Sequence, residues 1–285
     1  MLKLGAALAL CLLIAGCSAH SETRPRAEAR EPVWRLSGLA DPESVALGAD
    51  GRTLYVANVA GEGDVKDGNG FISRVSTRGK MLEREWVRGL DAPKGAIVKG
   101  DRLFVSDIDQ LVEIDTRTAR IVARYPVPGA KFLNDVAVAP DGTVLVADSG
   151  TARILQLKDG QVSLWSADPE LRSVNGLLPE ADRLLVTTME GKFLAFDYRA
   201  RAVKVLATGL GQADGVARAQ GDEYLISEWP GRLFLVEPNG MRTVLDSREA
   251  GVYINDFIRV GDLLIVPNWK PGTITAYRMI RWMLT

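Results

Sequence analysis

One design recurs six times along this chain: a polar residue, a short apolar run, a turn, and a second apolar run. It reads "ESVALGADGRTLYVANV" from Glu43, "KGAIVKGDRLFVSDI" from Lys94, "NDVAVAPDGTVLVADS" from Asn134, "NGLLPEADRLLVTTM" from Asn175, "DGVARAQGDEYLISEW" from Asp214 and "NDFIRVGDLLIVPNW" from Asn255. The spacings are 51, 40, 41, 39 and 41 residues. A period near 40 in short segments rich in Val, Leu and Ile, with Gly, Asp and Pro between them, predicts an all-β, six-bladed β-propeller with four strands per blade. The first two strands of each unit are nearly all apolar, as strands buried between neighbouring blades must be.

Within a unit the strands are typified by "VAVA", "TVLVAD", "RILQLK" or "RLFLVE", and "QVSLWS" or "RAVKVLAT". The sixth unit supplies only three, ending in "GTITAYRM", while "PVWRLSGL" at Pro32 to Leu39 precedes the first unit and belongs to none. The N-terminal strand is therefore expected to complete the last blade, which closes the ring and removes its exposed edges.

Equivalent first residues of inner strands that run in one direction must surround one mouth of the central channel. They are Glu43, Lys94, Asn134, Asn175, Asp214 and Asn255, none of them apolar. A polar group buried without a partner costs about 1–3 kcal/mol, so the ring is expected to hold an ion, water or a ligand. The alternative is a set of strand caps bonded to one another around a wet channel. Two carboxylates and three amides form a hard-oxygen set suited to calcium, magnesium or manganese. The segment Val59 to Gly70, "VAGEGDVKDGNG", accounts for the longest spacing and is a candidate lid beside the same mouth. Trp229 and Trp269, at the ends of second strands, are candidates to stack on a ligand; packing of the rim is the plainer role.

The first residues carry a different message. "MLKLGAALALCLLIAGCSAHSE" has a short positive start and an apolar stretch too short to span a bilayer, the pattern of a secretion signal. Its end, Ile14-Ala15-Gly16-Cys17, resembles the lipobox of bacterial lipoproteins, which implies cleavage before Cys17 and lipidation of that residue. The expected organisation is residues 1–16 as signal peptide, 17–30 as lipidated Cys and flexible tether, and 31–285 as propeller. Ser18 in place of Asp implies the outer membrane, facing the periplasm. The two cysteines are Cys11 and Cys17 and the only histidine is His20, so the propeller segment offers neither thiolate nor imidazole. With 35 basic against 36 acidic residues and no basic block, nucleic acid is not an expected partner. The expected partners are a small-molecule ligand and, through the lipid, a membrane.

Glu in the first unit, Asn-Asp in the third, Asn-Gly in the fourth and Asp-Gly in the fifth, with "LNDVAVAPDG", "VNGLLPEADRLLVT" and "ADGVARAQGDEYLISEW", resemble the gluconolactonase/regucalcin family over roughly Leu39 to Tyr277. The match to strictosidine synthase-like propellers is weaker. The family resemblance implies a divalent cation, calcium first and magnesium, manganese or zinc as alternatives, held by Glu43, Asn134, Asn175 and Asp214. It also implies Asp214 as the base that activates water. The implied function is metal-dependent hydrolysis of lactone-like esters, with a non-catalytic ligand- or protein-binding propeller as the alternative. Lys94, Asn255, Trp229 and Trp269 are then the candidates for substrate contact. The chain departs from the family at Phe132, where an Arg often contacts substrate, and at Lys94, whose charge opposes a cation in the ring.

Overall fold

Each of the six sequence units folds into one antiparallel sheet, and the computed structural model, which describes residues 31 to 279, places six four-stranded sheets in a ring. Cys17 and the signal and tether segments lie outside the described residues. The inner strands are Pro42–Leu47, Pro93–Lys99, Leu133–Val138, Val174–Pro179, Gln212–Gln220 and Ile258–Val260. Two of the outermost strands, Trp34–Ser37 and Arg120–Pro126, alternate between exposed and half-buried at every residue, as strands with one face to solvent do. Apart from a 3-10 turn at Pro169–Leu171, the described residues form strands and loops.

Closure follows the expected route. The strand Trp34–Ser37 pairs with Thr273–Arg278 in the register Trp34 to Ala276 through Ser37 to Thr273, so the last blade takes its outer strand from the start of the chain. Trp34 also reaches across the seam, its Nε1 donating to the Thr77 carbonyl of the first blade at 3.2 Å.

The apolar cores lie between blades. Ala46, Tyr55 and Ile72 of the first blade meet Leu103, Val105 and Val112 of the second, and the series ends where Val45 and Leu54 meet Ile265 and Ile274 across the closing seam. Fully burying such a side chain stabilises by about 1.5–3 kcal/mol, so each seam is a substantial source of stability. Polar residues at the ends of second strands fasten the backbone that leads into the inner strands. Asn58 Oδ1 accepts from the Ala40 amide at 3.0 Å, and Asp107 Oδ1 accepts from the amides of Asp91 at 3.0 Å and Ala92 at 2.8 Å.

Candidate functional site

The ring residues owe their position to a backbone irregularity repeated in every blade. In the third blade Leu133 pairs with Asp148, but the next pair is Val136 with Val146, so two residues oppose one. The same slip falls after Pro42, Pro93, Val174 and Ala213. In the sixth blade it lies between the Ile254–Asn268 bridge and the Ile258–Ile265 pair. A bulge of this kind re-aims a side chain out of the strand's alternation. Its first residue is Glu43, Lys94, Asn134, Asn175, Asp214 or Asn255, and all six line one cavity of ≈260 Å³ at one mouth of the channel.

Trp229 and Trp269 line the same cavity, so every substrate- and metal-binding candidate within the described residues converges there. Trp229 ends its strand as expected, and Trp269 lies just past the end of Leu263–Asn268. Their rings stand perpendicular at 6.1 Å, with Tyr253 edge-on to Trp229 at 5.5 Å. Four further residues complete the lining: Gly63, Phe132, Met189 and Gln212. Gly63 belongs to the long loop of the first blade, which therefore does stand at this mouth. Met189 ends the fourth unit at the position that Trp229 and Trp269 hold in the fifth and sixth, and Gln212 begins its inner strand two residues before Asp214, ahead of the repeated pattern.

The ring is buried: Glu43 and Asp214 are each 7% exposed and Lys94 3%. The two central amides have their nitrogens engaged. Asn134 Nδ2 donates to Ser149 Oγ at 3.5 Å, and Asn175 hydrogen-bonds the Asp214 carboxylate, while Asn175 Oδ1 is buried with no hydrogen-bond partner. An acceptor oxygen without a donor, beside two carboxylates, is what an oxygen-ligated cation requires. Among the described residues no group of three His, Cys, Asp or Glu side chains is placed to hold a metal, so a cation at this mouth depends on the amide oxygens as well. On these grounds Glu43, Asn134, Asn175 and Asp214 fit a hard divalent cation.

Burial dominates the electrostatics. It pushes the Glu43 carboxyl well above its ordinary range, with the Asp214 charge adding to the effect and Lys94 opposing it. Asp214 is raised to about 7 by burial and by Asp135, against the hydrogen bond from Asn175. Asp135 and Asp256 occupy the second position of their bulges and face away from the ring mouth, into a cavity of ≈570 Å³ walled by inner-strand residues such as Val45, Val136 and Phe257. Asp135 is raised to about 7 by burial although it accepts from the amides of Leu177 at 2.6 Å and Val136 at 2.7 Å. Asp256 is raised well above its range by burial and then by Asp135, Asp214 and Glu43. Four acids thus crowd the axis, and desolvation disfavours their charged forms.

Lys94 is the cation among them. Its ammonium donates to the Gly63 carbonyl in a short hydrogen bond, lies 3.4 Å from the Ala92 carbonyl, and sits 4.2 Å from the centre of the Phe132 ring. Burial lowers its pKa, and Glu43, Asp107 and Asp64 act in the opposite sense. The charge that opposes a cation is therefore inside the ring, fastened to the long loop.

No family profile and no curated protein matches this chain. Solved structures do. A catalytically inactive histidine-to-alanine variant of virginiamycin B lyase from Staphylococcus aureus, with quinupristin, is similar with a TM-score of 0.58 at 11% identity, over 87% of this chain and 99% of that one. A streptogramin B lyase structure is similar with a TM-score of 0.59 at 9% identity, over 84% and 93% of the two chains. At such identities the likeness shows the propeller fold alone.

Proposed function

We infer that this chain is a divalent-cation-dependent hydrolase of lactone-like esters, lipid-anchored through Cys17 to the outer membrane and facing the periplasm. The observation that carries the reading is the Asn175 Oδ1 acceptor, buried and unpartnered beside Glu43, Asn134 and Asp214 in one cavity. A cation bound there supplies Lewis acidity toward a carbonyl. Asp214 is the group placed to act as the base: burial raises its carboxyl in the cation-free ring, and a bound cation would favour the ionised form that accepts a proton. Asp214 takes a proton from water as the water oxygen attacks the ester carbonyl. The carbon–oxygen bond to the leaving alkoxide then breaks, and the alkoxide takes the proton from Asp214. Histidine is not needed for this sequence, and the chain's only one is His20.

The test is hydrolysis of a lactone panel in chelator and in calcium, magnesium or manganese. Cation-dependent opening of at least one lactone, lost in Asp214→Asn, supports the reading. No opening with any metal refutes it. A second reading, a non-catalytic binding propeller, has one observation in its favour: Lys94 occupies the ring with an ammonium of its own, 3% exposed. The similarity to a propeller lyase solved with quinupristin fits either reading.

A further inference from the structure

The walls of the ring cavity carry a chemistry that cation binding leaves unexplained. Phe132, Met189, Trp229 and Trp269 form an apolar rim above a polar floor. Phe132 is held in place from two sides. The Lys94 ammonium lies over its ring at 4.2 Å, and the loop tip at Gly63 closes on its edge, so that a Cβ there would come 3.9 Å from Phe132 Cζ. On the floor, Asn255 is 5% exposed and its Nδ2 is a buried donor with no acceptor.

These features set demands on a ligand. A polyhydroxylated ring could place some hydroxyls on the polar floor, but those turned toward Phe132, Met189 and the two tryptophans would lose water without gaining a partner. An apolar ring would bury its faces there, and one carbonyl oxygen would satisfy Asn255 Nδ2. The volume of ≈260 Å³ lies just under the range of pockets for drug-sized ligands and suits a small ring system.

We propose that the cavity selects a small apolar or aromatic ring carbonyl compound over a polyhydroxylated one of equal ring size, with Asn255 Nδ2 donating to the carbonyl oxygen and Phe132, Met189 and the two tryptophans enclosing the ring. The inference rests on the cavity being the ligand site of the proposed hydrolase, but not on the cation. Phe132 is the specificity-determining residue.

The test uses two six-membered lactams that resist hydrolysis: dihydrocarbostyril, which is aromatic, and gluconolactam, which is polyhydroxylated. Calorimetric titration of the full chain, in chelator and again in calcium, should show dihydrocarbostyril binding at least ten-fold more tightly in both buffers. Phe132→Arg should shrink that ratio at least five-fold. Asn255→Leu should weaken dihydrocarbostyril about ten-fold. Tetralin, which lacks the carbonyl, should bind the unaltered chain about ten-fold more weakly than dihydrocarbostyril, a comparison that holds even if a variant fails to fold. Equal or inverted lactam affinities, absent dihydrocarbostyril binding, or a ratio untouched by Phe132→Arg overturns the proposal. Lactam preference without calcium binding removes the cation reading alone; calcium binding with inverted lactam preference removes this proposal alone.

Discussion

Gly95 of the second blade lies directly against Asn134 of the third: a Cβ on Gly95 would stand 2.6 Å from the Asn134 carbonyl oxygen and 2.5 Å from Asp135 Cα. The bulge of one blade thus packs on the bulge of the next, and the spacing of the ring residues is set by backbone contact. Gly95→Ala should therefore push the third blade's bulge outward. Overpacking of this kind costs about 1–3 kcal/mol, which chemical denaturation would read. Cation affinity should fall as well, because Asn134 moves. Unchanged stability would show that the ring is held by something other than this contact.

The closing strand offers a second test. Trp34 packs over Gly79, where a Cβ would meet Trp34 Cδ2 at 2.5 Å, and its indole donates to Thr77. Trp34→Ala removes a half-buried ring from the seam and should cost about 2 kcal/mol, below the range for a fully buried Trp. Deleting Trp34–Ser37 should cost more and still give one cooperative transition, since every blade depends on the closed ring. A separate, earlier transition of the last blade alone would contradict this.

The repeat makes the fold legible in the sequence, because inner and second strands are buried on both faces and must be apolar wherever they recur. It also gave the ring, since a polar residue at the threshold of such a strand stands out. The bulge was not legible: Glu43-Ser44 or Asn134-Asp135 reads as ordinary strand until its register with the second strand is known. Nor was the partner of Lys94, because Gly63 reaches it from a loop whose path depends on tertiary contacts such as Lys66 Nζ to Asp109 Oδ2 at 2.6 Å. Met189 sits in the repeat where Trp229 and Trp269 sit in theirs, but an aliphatic side chain at that position does not stand out, and Gln212 lies two residues before Asp214, outside the repeated pattern.

The crowded acids make a prediction about pH. Asp135 and Asp214 rise from an ordinary 3.8 to about 7 on folding, and Glu43 and Asp256 are also raised. Between about pH 4 and 7 the folded state thus binds more protons than the unfolded one, so stability must fall as pH rises through that window. Acids whose pKa is lowered, such as Asp115 at about 2, act below the window and in the opposite sense. In chelator, the thermal midpoint should drop between those limits. Asp256→Asn should lessen the slope, and calcium should flatten it by favouring the ionised carboxylates. A midpoint that climbs across the window in chelator would show that the axis acids are ionised in the folded state.

Lys94 gives a fourth prediction. One unit charge at about 8 Å, at an effective dielectric near 20, is worth about 2 kcal/mol per unit of cation charge. Lys94→Met should therefore raise calcium affinity at least about ten-fold. It also releases the Gly63 carbonyl, so cleavage by protease within residues 60–69 should accelerate. Weaker calcium binding in this variant would mean that the ammonium supports the cation site through the loop instead of opposing it.

The central claim is that Glu43, Asn134, Asn175 and Asp214 hold one divalent cation at the channel mouth. Calorimetric titration of the metal-free full chain with calcium tests it most directly, alongside Asp214→Asn and Lys94→Met. The account predicts one site per chain, tighter in Lys94→Met and abolished or severely weakened in Asp214→Asn. No binding in either the unaltered chain or Lys94→Met would contradict it, and would leave Lys94 as the only cation the ring holds.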